Sequence, residues 1–178
     1  TRGAQEAQMQ IELARIAAIK DVRGLQDVIA RLQANGVNVA FASGSEQDFK
    51  DATRVLAIAG QGGLGLPDRD YYFREDAKAK ETREKYLAHV EKMFVLLGDA
   101  PAVAKANAAT VMEIESALAK GALDAVSQRD PQKLYHLMKT AEWAALQPAF
   151  DVNAYLAAVK APPVAELNVS EPEFVKAV

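Results

Sequence analysis

Apolar residues recur at helical spacing in two consecutive runs between Glu75 and Lys120, and only a short break separates them. In the first run Tyr86, Leu87, Val90, Met93, Phe94 and Leu97 form one broad stripe, which Gly98 ends. Asp99 and Pro101 start the second, whose stripe uses Ala104, Ala108, Val111, Met112 and Leu118 and which Gly121 stops. Two long helices in sequence leave little room for anything but a mainly α fold. Glu115 falls inside the second stripe. A carboxylate on an apolar face needs a partner, because desolvation disfavours its charge. Arg69 and Arg129 are the candidate partners, since both lie in loops of unusual composition, whereas the neighbouring acid Glu113 points elsewhere on the helix.

The rest of the chain fits around these helices. Ala4–Lys20 reads as a helix with Met9, Leu13, Ile16 and Ala17 on one side. Asp21 caps a second carrying Val22, Leu25, Val28, Ile29 and Leu32, stopped by Asn35-Gly36. Gly24 leaves a single kinked helix open as an alternative. Val37–Ser43 and Ala52–Ala59 read as the strands of a hairpin with "GSEQDFKD" as the connection. Asp130-Pro131 opens a short helix through Met138. Thr140 caps "AEWAALQ", Asp151 caps "VNAYLAAVK", Pro162-Pro163 ends that segment, and Ala165–Val169 forms a short strand. The expected fold is a mainly α, multi-helix domain with a small β-hairpin.

Composition narrows the function classes. The 178 residues suit one domain or a domain plus an extension, and 50% hydrophobic content supports a sizeable core. A net charge of −3 without a strongly basic patch argues against a nucleic-acid partner. There is no cysteine, which removes disulfides and thiolate metal sites. No apolar run reaches the ~18 residues of a membrane span. Thr1 is not an initiator methionine, and Ser170-Glu171-Pro172 opens a helix with only Glu173–Val178 after it. The chain is therefore expected to be a piece of a longer protein.

"QGGLGLPDRDYY", Gln61–Tyr72, is the most unusual stretch. A phosphate-cradling loop needs glycines leading directly into a helix N-terminus, often with Lys and Ser or Thr. Here Leu64 and Leu66 interleave with the glycines and Pro67 follows, so the stretch reads as an apolar loop packed closely on something else. Asp68, Arg69 and Asp70 can be catalytic carboxylates around a guanidinium, or a self-satisfied structural loop in which Arg69 is held by a neighbouring carboxylate or by Glu115. The structural reading is favoured, with Asp70 free to cap backbone amides ahead of the next helix. His89 and His136 lie on different segments, no H-E-x-x-H occurs, and surface or partner-facing positions are expected for both. No residue of the chain is assigned as catalytic, cofactor-binding or metal-ligating.

"GGLGLPDRDYYF" resembles a stretch of the neprilysin family of zinc metallopeptidases, which takes in endothelin-converting enzymes and bacterial oligopeptidases. "EIESALA", Glu113–Ala119, is similar to the family's acid-plus-helix element. "QRDPQKLYHLM" is similar to its Arg-(Asn/Asp)-Pro…Tyr-(Asn/His) signature, carried by Arg129, Asp130, Pro131, Tyr135 and His136; "DFKDATRVLAIAGQGG" matches the lead-in to the glycine-rich motif. Three ordered motifs make the resemblance specific. It implies that residues 1–178 belong to the N-terminal, non-catalytic helical lid of a two-domain enzyme that faces a catalytic domain across a cavity and limits substrates to peptides. The zinc motif and the downstream glutamate ligand would lie further along the chain. Zinc there would polarise the carbonyl and activate water, with a glutamate as base. The implied partners are peptide substrates and the catalytic domain of the same chain. Zinc is the parent's cofactor and is not expected on this segment. The lack of cysteine departs from the disulfide-rich animal relatives and points to a bacterial member, with a periplasmic or extracellular compartment expected over a cytoplasmic one. The rival class is a non-enzymatic helical module that binds a protein partner.

Overall fold

Gly98 adopts a left-handed backbone, φ 111°, and its N–H returns to the carbonyls of Phe94 and Val95. That is the turn that folds the two long helices, α4 (Ala77–Leu97) and α5 (Pro101–Gly121), back on one another. Pro101 takes the first helical position of α5, where no N–H is needed. The α5 face carries small residues, with Ala104, Ala108 and Ala119 essentially without solvent exposure, so the helices approach closely. The computed structural model describes the backbone of residues 2–178 and the side chains of residues 7–178.

Before the hairpin come α1 (Arg2–Ala17) and α2 (Val22–Ala34), two separate helices rather than one kinked rod. Asp21 makes the break: its carboxylate accepts the Gly24 N–H at 2.8 Å and starts α2 anew. Arg31 of α2 holds Glu12 of α1 through Nε and Nη2, at 3.0 and 2.7 Å. The sheet follows. Strands β1 (Phe41–Gln47) and β2 (Val55–Gln61) pair antiparallel, β2 pairs in parallel with β4 (Glu166–Val169), and β4 pairs antiparallel with β3 (Leu137–Lys139), giving the order β1-β2-β4-β3. The expected hairpin exists, but β1 lies four residues later and β2 two to three residues later than the sequence pattern places them, and it forms half of a mixed four-stranded sheet.

The Asp130–Met138 helix does not form. Asp130 instead folds a tight turn, accepting the Gln132 N–H on its carboxylate at 2.9 Å and the Lys133 N–H on its carbonyl at 3.0 Å. The segment then extends so that Leu137–Lys139 becomes β3. Three short helices complete the chain: α6 (Thr140–Leu146), α7 (Val152–Ala158) and α8 (Pro172–Ala177). Asp151 caps α7 as expected, whereas the α6 cap position is Lys139, and Thr140 Oγ1 donates to the Val164 carbonyl at 2.5 Å. A one-turn helix, α3 (Asp70–Phe73), sits between the glycine-rich loop and α4.

The main core lies between one face of the sheet and α6–α8. Phe41, Trp143, Phe150 and Tyr155 pack edge-on and tilted, with ring centroids 5.2–6.2 Å apart. At six residues α8 is too short to stand alone. Burial of Phe174 and Val175 against this core holds it in place. Gly121 permits the crossing of α5 over α8, because a Cβ there would run into the Glu173 carbonyl. No helix among the described residues is long and apolar enough to cross a membrane.

Candidate functional site

The glycine-rich loop runs from the end of β2 to α3, and its glycines are spaces for specific neighbours. Gly63, at φ +68°, donates its N–H to Asn38 Oδ1 at 3.1 Å and lies on the backbone of Ala40. A Cβ on Gly62 would sit 2.5 Å from the Ala42 nitrogen, and a Cβ on Gly65 would fall on the Tyr86 hydroxyl. The loop thus packs on the start of β1 on one side and on α4 on the other. Leu66 is buried with Tyr72 and Ala119 in a second, smaller core to which Leu64 also contributes. That is the close apolar packing expected of Leu64 and Leu66.

Glu115 is the centre of this second core. It takes no arginine. Tyr72 donates its hydroxyl to Glu115 Oε2 at 2.7 Å, and Tyr86 donates to Oε1 at 2.8 Å. The Tyr72 oxygen in turn accepts the Leu66 N–H at 3.0 Å. One carboxylate therefore joins the glycine-rich loop, α3, α4 and α5. Burial, and then the adjacent carboxylate, hold both phenols well above the ordinary tyrosine range, so they stay protonated and keep donating. Both carboxylate oxygens are engaged, which leaves Glu115 a poor general base and a good anchor.

Arg69 is not held by a carboxylate, contrary to expectation. Its Nε is buried without a hydrogen-bond partner, and its guanidinium lies 5.5 Å from the Phe73 ring. Asp68 accepts the Asp70 N–H at 2.8 Å, a local turn, and the cap ahead of α4 is Asp76, not Asp70. Arg129 lies exposed at the end of a 3-10 turn, Ser127–Arg129, and does not reach Glu115. The "QRDPQKLYHLM" segment docks on the sheet: the His136 N–H donates to Asn168 Oδ1 at 2.7 Å, and Gln128 bonds the side chain of Gln61. Tyr135 lies beneath Lys50, whose Nζ is 4.2 Å from the ring centroid. His89 and His136 are exposed, and Glu113 faces solvent.

Among the described residues two acids are buried, Asp48 at 4% exposure and Glu171, and sequence reasoning missed both. Glu171, 5% exposed, accepts the Leu123 N–H at 2.5 Å just past α5 and the Gln128 amide at 3.4 Å. Burial raises its pKa above the usual carboxylate value. The signal available was its place in Ser170-Glu171-Pro172, read only as a helix start. Among the described residues no three His, Cys, Asp or Glu side chains gather into a possible metal site. The donor set of the described residues does not fit a zinc ion.

The chain is a mainly α unit with a mixed sheet, a glycine-rich loop and a phenol-locked acid, and comparison with known proteins gives its class. The family model described as peptidase family M13 matches residues 1–178. The chain belongs to that metallopeptidase family. Endothelin-converting enzyme 1 of Cavia porcellus is 33% identical over 127 residues, covering 70% of this chain and 16% of its own length. The crystal structure of the zinc metalloprotease Zmp1 of Mycobacterium tuberculosis in complex with an inhibitor superposes with a TM-score of 0.88 at 29% identity, covering 96% of this chain and 26% of Zmp1. PepO from Lactobacillus rhamnosis HN001 aligns at a TM-score of 0.72 and 15% identity over 96% of this chain and 26% of that one, a likeness of fold alone. The chain thus spans about a quarter of these solved structures and about a sixth of the curated relative. The neprilysin-family resemblance carried by the three sequence motifs holds.

Proposed function

We propose that this chain is part of the non-catalytic helical lid of a zinc-dependent metalloendopeptidase, limiting the size of the peptides that reach a catalytic domain elsewhere in the same polypeptide. The likeness to Zmp1 over nearly the whole of this chain carries the reading. The site chemistry agrees with it: the conspicuous loop and its acid are spent on packing, and the reacting groups would come from outside residues 1–178. Zinc would then be a cofactor of the whole enzyme, peptides its substrates, and a periplasmic or extracellular setting its compartment. Apolar side chains at the tip of the helical hairpin add support, since Leu96, Leu97 and Val103 are at least half exposed and suit a surface that meets another domain.

The test uses the full-length peptidase and a ladder of quenched substrates, from short peptides to a folded protein. Glu115→Ala, which unlocks α4 from α5, should raise kcat/KM for the long substrates relative to the short ones. A full-length enzyme that cleaves folded protein as readily as peptide, with the ratio unmoved by Glu115→Ala, overturns the lid role.

A further inference from the structure

β1 ends the sheet, and among the described residues no strand lies beside its outer edge. The direction of its backbone groups follows from the ladder. Just past the strands, and in the same register, the Asp48 N–H donates to the Arg54 carbonyl at 3.0 Å. Hydrogen-bonded pairs alternate along an antiparallel ladder, so Glu46, Gly44 and Ala42 face β2, while Phe41, Ser43, Ser45 and Gln47 turn their N–H and C=O groups outward. The Phe41 carbonyl is already taken, by Gln33 Nε2 at 2.7 Å. Outside the ladder, no hydrogen bond among the described residues engages the backbone of Ser43 or Ser45. Edges of this kind are usually blunted by lysine, proline or a bulge. "FASGSEQ" has no lysine or proline, pairs residue for residue with β2, and is exposed from Ala42 to Ser45.

A cavity of about 700 Å³ opens at the same edge. Ser43 and Ser45 line it together with Ala57, Leu156, Val159 and Val164, over a base formed by Trp143 and Tyr155. At that base Ser43 Oγ, the Tyr155 hydroxyl and Gln33 Oε1 satisfy one another. Arg54 and Glu166 are the charged residues at its mouth, and they pair with each other. The cavity therefore offers no free charge, and its complement is an uncharged, apolar side chain.

The two features coincide at the same residues. A residue paired opposite Ser43 or Ser45 would place its side chain on the face those serines occupy, toward the cavity. The geometry points to an extended peptide segment as the occupant of this edge. It pairs its backbone with Ser43–Gln47 and sets uncharged apolar side chains at alternate positions into the cavity, a strand-addition mode of recognition. This goes beyond the lid role and does not depend on it, because it is read by binding alone, without catalysis.

The test uses a fluorescein-labelled, end-capped heptapeptide with leucines at two alternate positions among threonines, and a control with aspartates in place of the leucines. Fluorescence polarisation reports affinity, and hydrogen exchange reports where the peptide sits. The leucine peptide should saturate and slow exchange over residues 41–47, and the aspartate control should not bind. Ser45→Pro removes an outward N–H that the ladder does not use, and should weaken the leucine peptide about tenfold or more. Unchanged exchange in α5 checks that this variant is folded. As a second probe, Ala57→Leu partly fills the cavity and should weaken binding as well. No saturable binding, equal binding of the aspartate control, or an affinity unmoved in both folded variants overturns the proposal. So does concentration-dependent protection of residues 41–47 without peptide, which would make the occupant a second copy of the chain.

Discussion

Tyr72 and Glu115 are 43 residues apart in the chain, and their side chains meet at 2.7 Å. This bond, with its twin from Tyr86, turns the glycine-rich loop from a flexible connection into part of the helical core. Removing the acid should therefore be felt in stability. Glu115→Ala leaves two phenols without their acceptor and should cost about 2–4 kcal/mol. Tyr72→Phe and Tyr86→Phe should each cost about 1–2 kcal/mol, less than the sum, because the three groups act as one network. Denaturant melts of the single and double variants check this; unchanged midpoints would contradict the anchor.

Gly65 gives a sharper steric test. A methyl at this position collides with the Tyr86 hydroxyl, so Gly65→Ala should destabilise the fold by about 1–3 kcal/mol. Adding Tyr86→Ala removes the whole colliding group, since the methyl would lie 1.9 Å from the hydroxyl oxygen and 2.5 Å from the ring Cζ. The double variant should then lose less than the two single costs added together. A thermal-melt cycle over the four proteins measures the coupling. Strict additivity would mean that the loop does not rest on Tyr86.

Glu171 makes stability depend on pH. Burial raises its folded pKa above the unfolded value of 4.5, so the folded state holds the proton more tightly. Its contribution is most favourable below the unfolded value and declines as pH rises through the raised folded value. Glu171→Gln removes that dependence. The stability of the natural chain relative to this variant should therefore fall as pH rises above the unfolded value and level off once the raised folded value is passed. Unfolding midpoints of both proteins across that range test it. A difference that is flat, or that grows with pH, would show that burial does not govern this carboxylate.

The sequence patterns that located elements were local ones. Gly98 and the two apolar stripes place α4 and α5, and Asp21 and Asp151 mark helix starts because a cap acts within three residues of itself. The hairpin was displaced because β1 buries only Phe41 fully; an exposed edge strand carries no alternation to read. The parallel pairing of β2 with β4 joins residues over a hundred positions apart, and no local pattern encodes it. Asp130-Pro131 looked like a helix start, but asparaginyl-type turns and helix caps use the same residues. At the site, Glu115 was visible as an acid out of place, and the error lay in seeking a cation for it. Phenols satisfy a carboxylate without a second buried charge. Tyr86 on the facing stripe and Tyr72 beside the glycine motif were the available clue. Arg69 was expected to be in a salt bridge and instead lies against Phe73.

We propose that residues 1–178 fold as a scaffold and that the chemistry of the peptidase lies outside them. The most direct measurement is metal analysis of the purified 178-residue chain after dialysis against zinc, together with a quenched-peptide assay on the same sample. No stoichiometric zinc and no cleavage are expected, because the described residues bring no ligand set together. One tightly held zinc per chain, with cleavage that a chelator abolishes, would contradict it.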